Sequence, residues 1–102
     1  MDLKPGSRWK SAVCDTEVVV VRPPKSPVSL ECGGHPMVAH AAARPEGLSV
    51  SESHAGGSQM GKRFADEGSG LEVLCSKAGA GSLSIDGQPI AAKDAKKLPA
   101  SD

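Results

Sequence analysis

The chain has 102 residues, 38% of them hydrophobic, and its 12 basic and 12 acidic side chains cancel at neutral pH. That length predicts one domain, or two very small ones joined by a linker. Balanced charge removes the usual electrostatic footprint of nucleic-acid binding, and one Trp, one Phe and no Tyr leave little surface for stacking bases. No apolar run is long enough for a membrane-spanning helix.

The opening residues, Met1 to Trp9, lack the apolar stretch of a secretory signal, so the expected location is the cytoplasm. The three cysteines, Cys14, Cys32 and Cys75, cannot all pair within one chain, which argues against a disulfide framework.

Residues 1–8 read as an arm ended by Pro5-Gly6. From Trp9 the chain becomes apolar and β-branched, and the run Val18 to Val21 suits a buried strand because its stiff side chains fit a pleated surface. Pro23, Pro24 and Pro27 then force a loop. Val28, Leu30 and Cys32 alternate with Ser29 and Glu31, so residues 17–32 are expected as a β-hairpin with a stiff connection. Residues 39–61 are small and polar without a periodic apolar face, the composition of a flexible linker. Strands are expected again at Leu71–Cys75 and around Leu83 and Ile85, with a turn at Asp86-Gly87, and the lysine-rich end predicts a frayed tail.

The two ends of the chain resemble each other. A shift of 55 places Arg8 on Arg63, Trp9 on Phe64, Glu17 on Glu72 and Val18 on Val73. A shift of 53 then places Ser29 on Ser82, Leu30 on Leu83, Gly34 on Gly87, Pro36 on Pro89 and Met37 on Ile90. The expected organisation is therefore mostly β: two small related β-hairpin units, 1–38 and 62–92, packed together as a pseudo-dimer, a flexible linker at 39–61 and a tail at 93–102.

Trp9-Lys10-Ser11-Ala12-Val13-Cys14 and Cys32-Gly33-Gly34-His35-Pro36-Met37 resemble the desulforedoxin-type iron knuckle, also found as the N-terminal module of desulfoferrodoxins. That pattern is aromatic-Lys-Cys-x-x-Cys-Gly, a Val-rich strand, then Cys-Cys-Gly-x-x-Met. Ser11 stands at its first cysteine and Gly33 at the second closing one, and in the second copy Asp66, Ser69, Ile85 and Asp86 stand at all four. Family members form small homodimers, so the resemblance implies a fused duplicate that reproduces the dimer in one chain. The iron centre is not implied, because a tetrahedral thiolate site takes four sulfurs and the chain has three.

Cys14, Cys32 and His35 make the best metal hypothesis, for zinc or iron, with His40, Cys75, water or a second chain as the fourth ligand. Its competitor is a decayed knuckle with ordinary thiols. Cys75, in a valine-like strand position, is expected as a small buried hydrophobe. Gly56 to Lys62 approaches a phosphate-loop spacing, but Arg63 replaces the hydroxyl that would hold magnesium, and Asp66 and Glu67 are expected to be solvated. The expected protein is non-enzymatic, without a cofactor, and acts by binding a protein partner or itself; the alternative is a metal-binding or electron-transfer protein using Cys14, Cys32 and His35.

Overall fold

Ten short strands make two antiparallel sheets in the computed structural model, which describes residues 3–45 and 47–92. In chain order they are β1 (Arg8–Lys10), β2 (Glu17–Arg22), β3 (Leu30–Cys32), β4 (His35–Pro36), β5 (Val38–Ala39), β6 (Arg63–Ala65), β7 (Glu72–Lys77), β8 (Leu83–Ile85), β9 (Gln88–Pro89) and β10 (Ala91–Ala92). The larger sheet has the order β10-β6-β7-β2-β1-β5 and the smaller one β4-β3-β8-β9. The expected fold class, mostly β, is the observed one. No helix among the described residues is long and apolar enough to cross a membrane.

Both strand orders read the same from either end when β1–β5 is exchanged for β6–β10. The larger sheet is joined through β2 and β7, where Val18 faces Cys75, Val19 faces Leu74 and Val20 faces Val73. The smaller one is joined through β3 and β8, where Leu30 faces Ile85, Glu31 faces Ser84 and Cys32 faces Leu83. The strand bounds of the two halves differ by the same 55 and then 53 positions that align their sequences. Backbone bonds repeat as well: Gly6 N–H donates to the Val20 carbonyl as Gly61 N–H does to that of Cys75, Ser11 to Thr16 as Asp66 to Leu71, and Met37 to Leu30 as Ile90 to Leu83.

The core lies where these pairings meet. Alternation along β2 and β7 turns Val18, Val20, Val73 and Cys75 inward, and Leu30, Cys32, Leu83 and Ile85 come from the smaller sheet; all are at most 5% exposed. Trp9 and Phe64, at matching places, pack half-buried against the cluster, and Cys75 takes its expected role as a small buried residue.

Three expectations are corrected. Residues 17–32 do not form a hairpin: β2 pairs with β1 and β7, whereas β3 pairs with β4 and β8. Three prolines between them remove ladder donors and carry the chain from one sheet to the other. The valine run is covered on one face only, Val18 and Val20 being buried and Val21 43% exposed. The described part of the N-terminal arm is docked rather than loose, with Leu3 4% exposed in the core and Gly6 bonded to β2. The expected tail at 93–102 lies outside the described residues.

The segment expected as a linker crosses both halves. Ser51 N–H donates to the Gly33 carbonyl, a short 3-10 turn at Glu52–His54 follows, and the His54 carbonyl accepts from Ser82 N–H. Ser58 is 4% exposed, pairs with Gly79 and donates its hydroxyl to the Gly81 carbonyl at 2.7 Å. A strand, β6, follows Gly61-Lys62 where a phosphate loop would open a helix.

Two positive-φ residues close each hairpin of the smaller sheet: Gly33 (67°) with Gly34 (88°), and Asp86 (50°) with Gly87 (84°). Such pairs match the right-handed twist of the flanking strands. A Cβ on Gly34 would stand 2.8 Å from the Ser51 Cβ, whereas one on Gly57, also at positive φ, would meet only the Gly79 carbonyl oxygen at 3.6 Å. Both valine variants carry the backbone cost of about 1–2 kcal/mol, and Gly34→Val adds a steric clash. Thermal unfolding is expected to show Gly34→Val melting several degrees below Gly57→Val; equal melting temperatures would contradict this assignment.

Candidate functional site

Chemistry-bearing side chains gather at the turn between β1 and β2. Ser11 opens it, and its Oγ accepts from the N–H groups of Val13 and Cys14, both at 3.1 Å. This local capping turns Cys14 inward from the larger sheet while Cys32 reaches in from the end of β3 in the smaller one. The two sulfurs are 3.8 Å apart. Ser11, Thr16 and Cys32 are fully buried and Cys14 is half-buried.

The Cys14 thiol donates to Thr16 Oγ1 at 3.2 Å, and Gly81 N–H donates to Cys14 Sγ at 3.4 Å. Gly81 belongs to the β7–β8 loop, so the other half of the chain supplies this contact. The loop approaches so closely because it is bare. A Cβ on Gly79 would collide with Thr16 and stand 3.0 Å from Cys14 Sγ, and one on Gly81 would lie 2.8 Å from Gly33 Cα and 3.1 Å from Cys32 Sγ.

The two thiols differ in acidity. Burial alone pushes the Cys14 thiol up, but hydrogen bonds from Ser11, Thr16 and the Gly81 N–H outweigh it and bring it down to about 7. Burial drives Cys32 the other way, to about 12, and the neighbouring Cys14 charge adds to the rise against the Thr16 and Ser11 hydroxyls. Near neutral pH the half-buried Cys14 thus ionises far more readily than its buried neighbour.

His35 is not part of this cluster: its Nε2 lies 3.1 Å from the Ser49 carbonyl oxygen. His40 sits 3.2 Å from Glu17. Cys75 is buried, donates to the Lys77 carbonyl at 3.2 Å, and is raised by burial. Of the proposed ligands the structure brings together only Cys14 and Cys32, and no group of three or more His, Cys, Asp or Glu converges to hold a metal among the described residues. Sequence reasoning missed Ser11 and Thr16 as partners of the sulfurs. The Ser-x-x-Cys spacing was a readable sign for Ser11, since a serine hydroxyl can accept N–H groups two and three residues on; no comparable sign marked Gly79 and Gly81.

The matching place in the second half has different chemistry. Asp66 replaces Ser11, Ser69 replaces Cys14, Leu71 replaces Thr16 and Ile85 replaces Cys32. Leu71 and Ile85 are buried apolar residues, and Asp66 Oδ2 accepts from Ser69 N–H at 3.1 Å. The Ser69 hydroxyl and N–H hold the Asp66 carboxyl below its ordinary range. Beside this turn is a cleft of about 730 Å³ lined by Arg22, Lys25, Asp66 and Glu67, with Pro23 and Ile90 among its apolar lining.

Iodoacetamide modification of the native protein, mapped by peptide mass spectrometry, is expected to rise through about pH 7 at Cys14, because the reactive thiolate is lost below that pH and complete above it. Cys32 should stay unmodified up to about pH 10. Gly81→Ala, which forces a methyl against the Gly33 backbone, is expected to lower stability in urea by about 1–3 kcal/mol. Comparisons with protein-family models, with curated proteins and with solved structures gave no match, so the functional reading rests on this chain's own residues.

Proposed function

We propose that the protein is a small non-enzymatic β-protein, two copies of a desulforedoxin-like unit held as a pseudo-dimer in one chain, that acts by binding a partner protein. The matched strand orders and backbone bonds of the two halves support the two-copy reading. The observation that carries the binding role is the cleft of about 730 Å³ on the second half. Its volume is within the usual range for ligand sites, its lining carries both charge signs, and Ile90 and Pro23 add apolar surface.

Ala92 of β10 lines the same cleft, and β10 is the last strand of the larger sheet among the described residues. An extended segment of a partner lies along such an edge by backbone hydrogen bonding, its charged residues meeting Arg22 and Lys25 or Asp66 and Glu67. Peptide display against the folded protein is expected to enrich extended sequences that carry both charges and an apolar anchor. Arg22→Glu with Lys25→Glu should weaken those peptides by about tenfold or more. Failure to enrich any peptide, or equal binding by both proteins, would overturn the reading.

A second reading, a zinc or iron site, draws on one distance. Tetrahedral thiolate bonds of about 2.3 Å place neighbouring sulfurs about 3.8 Å apart, the spacing of Cys14 and Cys32. Those residues supply two of the four ligands such a site takes. Native mass spectrometry decides it: one zinc or iron per chain, lost in Cys14→Ser, is the result it needs, and metal-free protein refutes it.

A further inference from the structure

We propose that Cys14 and Cys32 form a dithiol–disulfide pair, a redox site at which a low-molecular-weight disulfide closes a covalent link between the two sheets of the first half. The geometry supplies what this chemistry needs. The sulfurs come from different hairpins and stand 3.8 Å apart, so each needs to move by only about 0.9 Å to reach bonding distance. The overlying loop comes close to them at Gly79 and Gly81, which carry no side chain.

Exposure sets the order of events. Cys14 is half-buried and meets the reagent first, whereas Cys32 beside it is wholly buried. The Gly81 N–H and the Thr16 hydroxyl beside Cys14 can hold a negatively charged sulfur.

The surrounding pocket is what separates this pair from two inert buried thiols. Ser11 and Thr16 keep their hydroxyls fully buried against the sulfurs, although burying polar groups costs stability. In the other half the places of Thr16 and Cys32 are taken by Leu71 and Ile85, which fill the same space with apolar side chains. The scaffold thus accommodates a dry version of this corner, and the first half does not use it.

In the first step the Cys14 thiolate attacks one sulfur of a disulfide RSSR. The Cys14–SR bond forms, the RS–SR bond breaks, and the leaving RS⁻ takes up the proton that Cys14 gave to solvent. In the second step the Cys32 sulfur gives up its proton and attacks Cys14 Sγ. The Cys14–Cys32 bond forms, the mixed disulfide breaks, and the second RS⁻ leaves as RSH. Two protein thiols are oxidised by two electrons, and one RSSR is reduced to two RSH. Cys75 remains a thiol, being buried and bonded to the Lys77 carbonyl.

The test exposes the folded 102-residue chain to oxidised and reduced glutathione in graded ratios, then quenches with acid, alkylates free thiols and maps peptides by mass spectrometry. The expected product links Cys14 to Cys32 with Cys75 alkylated, and it melts about 10 °C above the reduced protein. Cys32→Ser should stop at glutathione on Cys14, at least about tenfold faster than any modification of Cys32 in Cys14→Ser. The proposal is overturned if native wild-type protein keeps Cys14 and Cys32 alkylatable at ratios that oxidise the urea-unfolded chain, or if the bond that forms involves Cys75 or a second chain. These outcomes need only the wild-type chain, so they stand even where a serine variant fails to fold.

Discussion

Two antiparallel pairings, β2 with β7 and β3 with β8, are what the rest of the molecule depends on. Neither half owns enough apolar surface to close a core: each contributes two inward residues from its long strand and two from its short one. Burying a Val, Leu or Ile side chain is worth about 1.5–3 kcal/mol, so four such residues gain little while one side of each faces water. Joined edge to edge, the halves make one cluster, with Val18, Val20, Val73 and Cys75 from the larger sheet and Leu30, Cys32, Leu83 and Ile85 from the smaller. The pairing also explains why strands of two or three residues persist, since an isolated hairpin of that length is marginal at best.

Closing the core this way makes each half cover the other's turn. Lys25 N–H, from the β2–β3 loop, donates to the Ser69 carbonyl, and Gly81 N–H, from the β7–β8 loop, donates to Cys14 Sγ. The sulfurs therefore depend for their environment on residues nearly seventy positions away in sequence, and Cys14 cannot be understood from its own half. Thin cores favour replacement of buried polar groups by apolar ones, which is the state of Leu71 and Ile85. At the matching corner Ser11 Oγ accepts two N–H groups and Thr16 Oγ1 accepts the Cys14 thiol, which offsets the cost of burying those hydroxyls.

Much of this architecture was legible in the sequence because it repeats. The two shifts that align Trp9 with Phe64 and Leu30 with Leu83 also align the strand ends, and the Gly-Gly and Asp-Gly turns announced themselves through residues that tolerate positive φ. Strand partners were not legible. Alternation in Val28 to Cys32 says that one face is buried, but not against which strand, and β2 and β3 went to different sheets although their order suggested a hairpin. The site was half legible for a similar reason. Cys14 and Cys32 were identified by residue type and spacing, whereas the ring of His35 turned to the Ser49 carbonyl, a choice made by a loop whose composition carries no periodic signal.

The loops where the two halves lose alignment are also those that overlie the two chemically different turns. Seven residues, 23–29, join β2 to β3, and five, 78–82, join β7 to β8, which is why the shift changes from 55 to 53. The longer loop is stiffened by Pro23, Pro24 and Pro27 and stands beside the second turn, leaving the charged cleft between them. The shorter one is Ala78-Gly79-Ala80-Gly81-Ser82, and without side chains at 79 and 81 it descends onto the first turn until the Gly81 N–H bonds to Cys14 Sγ. A methyl group at either glycine would lift the loop, admit water to the pocket and weaken the hydrogen bond that favours the Cys14 thiolate. A two-residue difference in loop length and the exchange of proline for glycine thus accompany the side-chain differences at the two turns, an open cleft beside the second and a thiol pair under a glycine loop at the first.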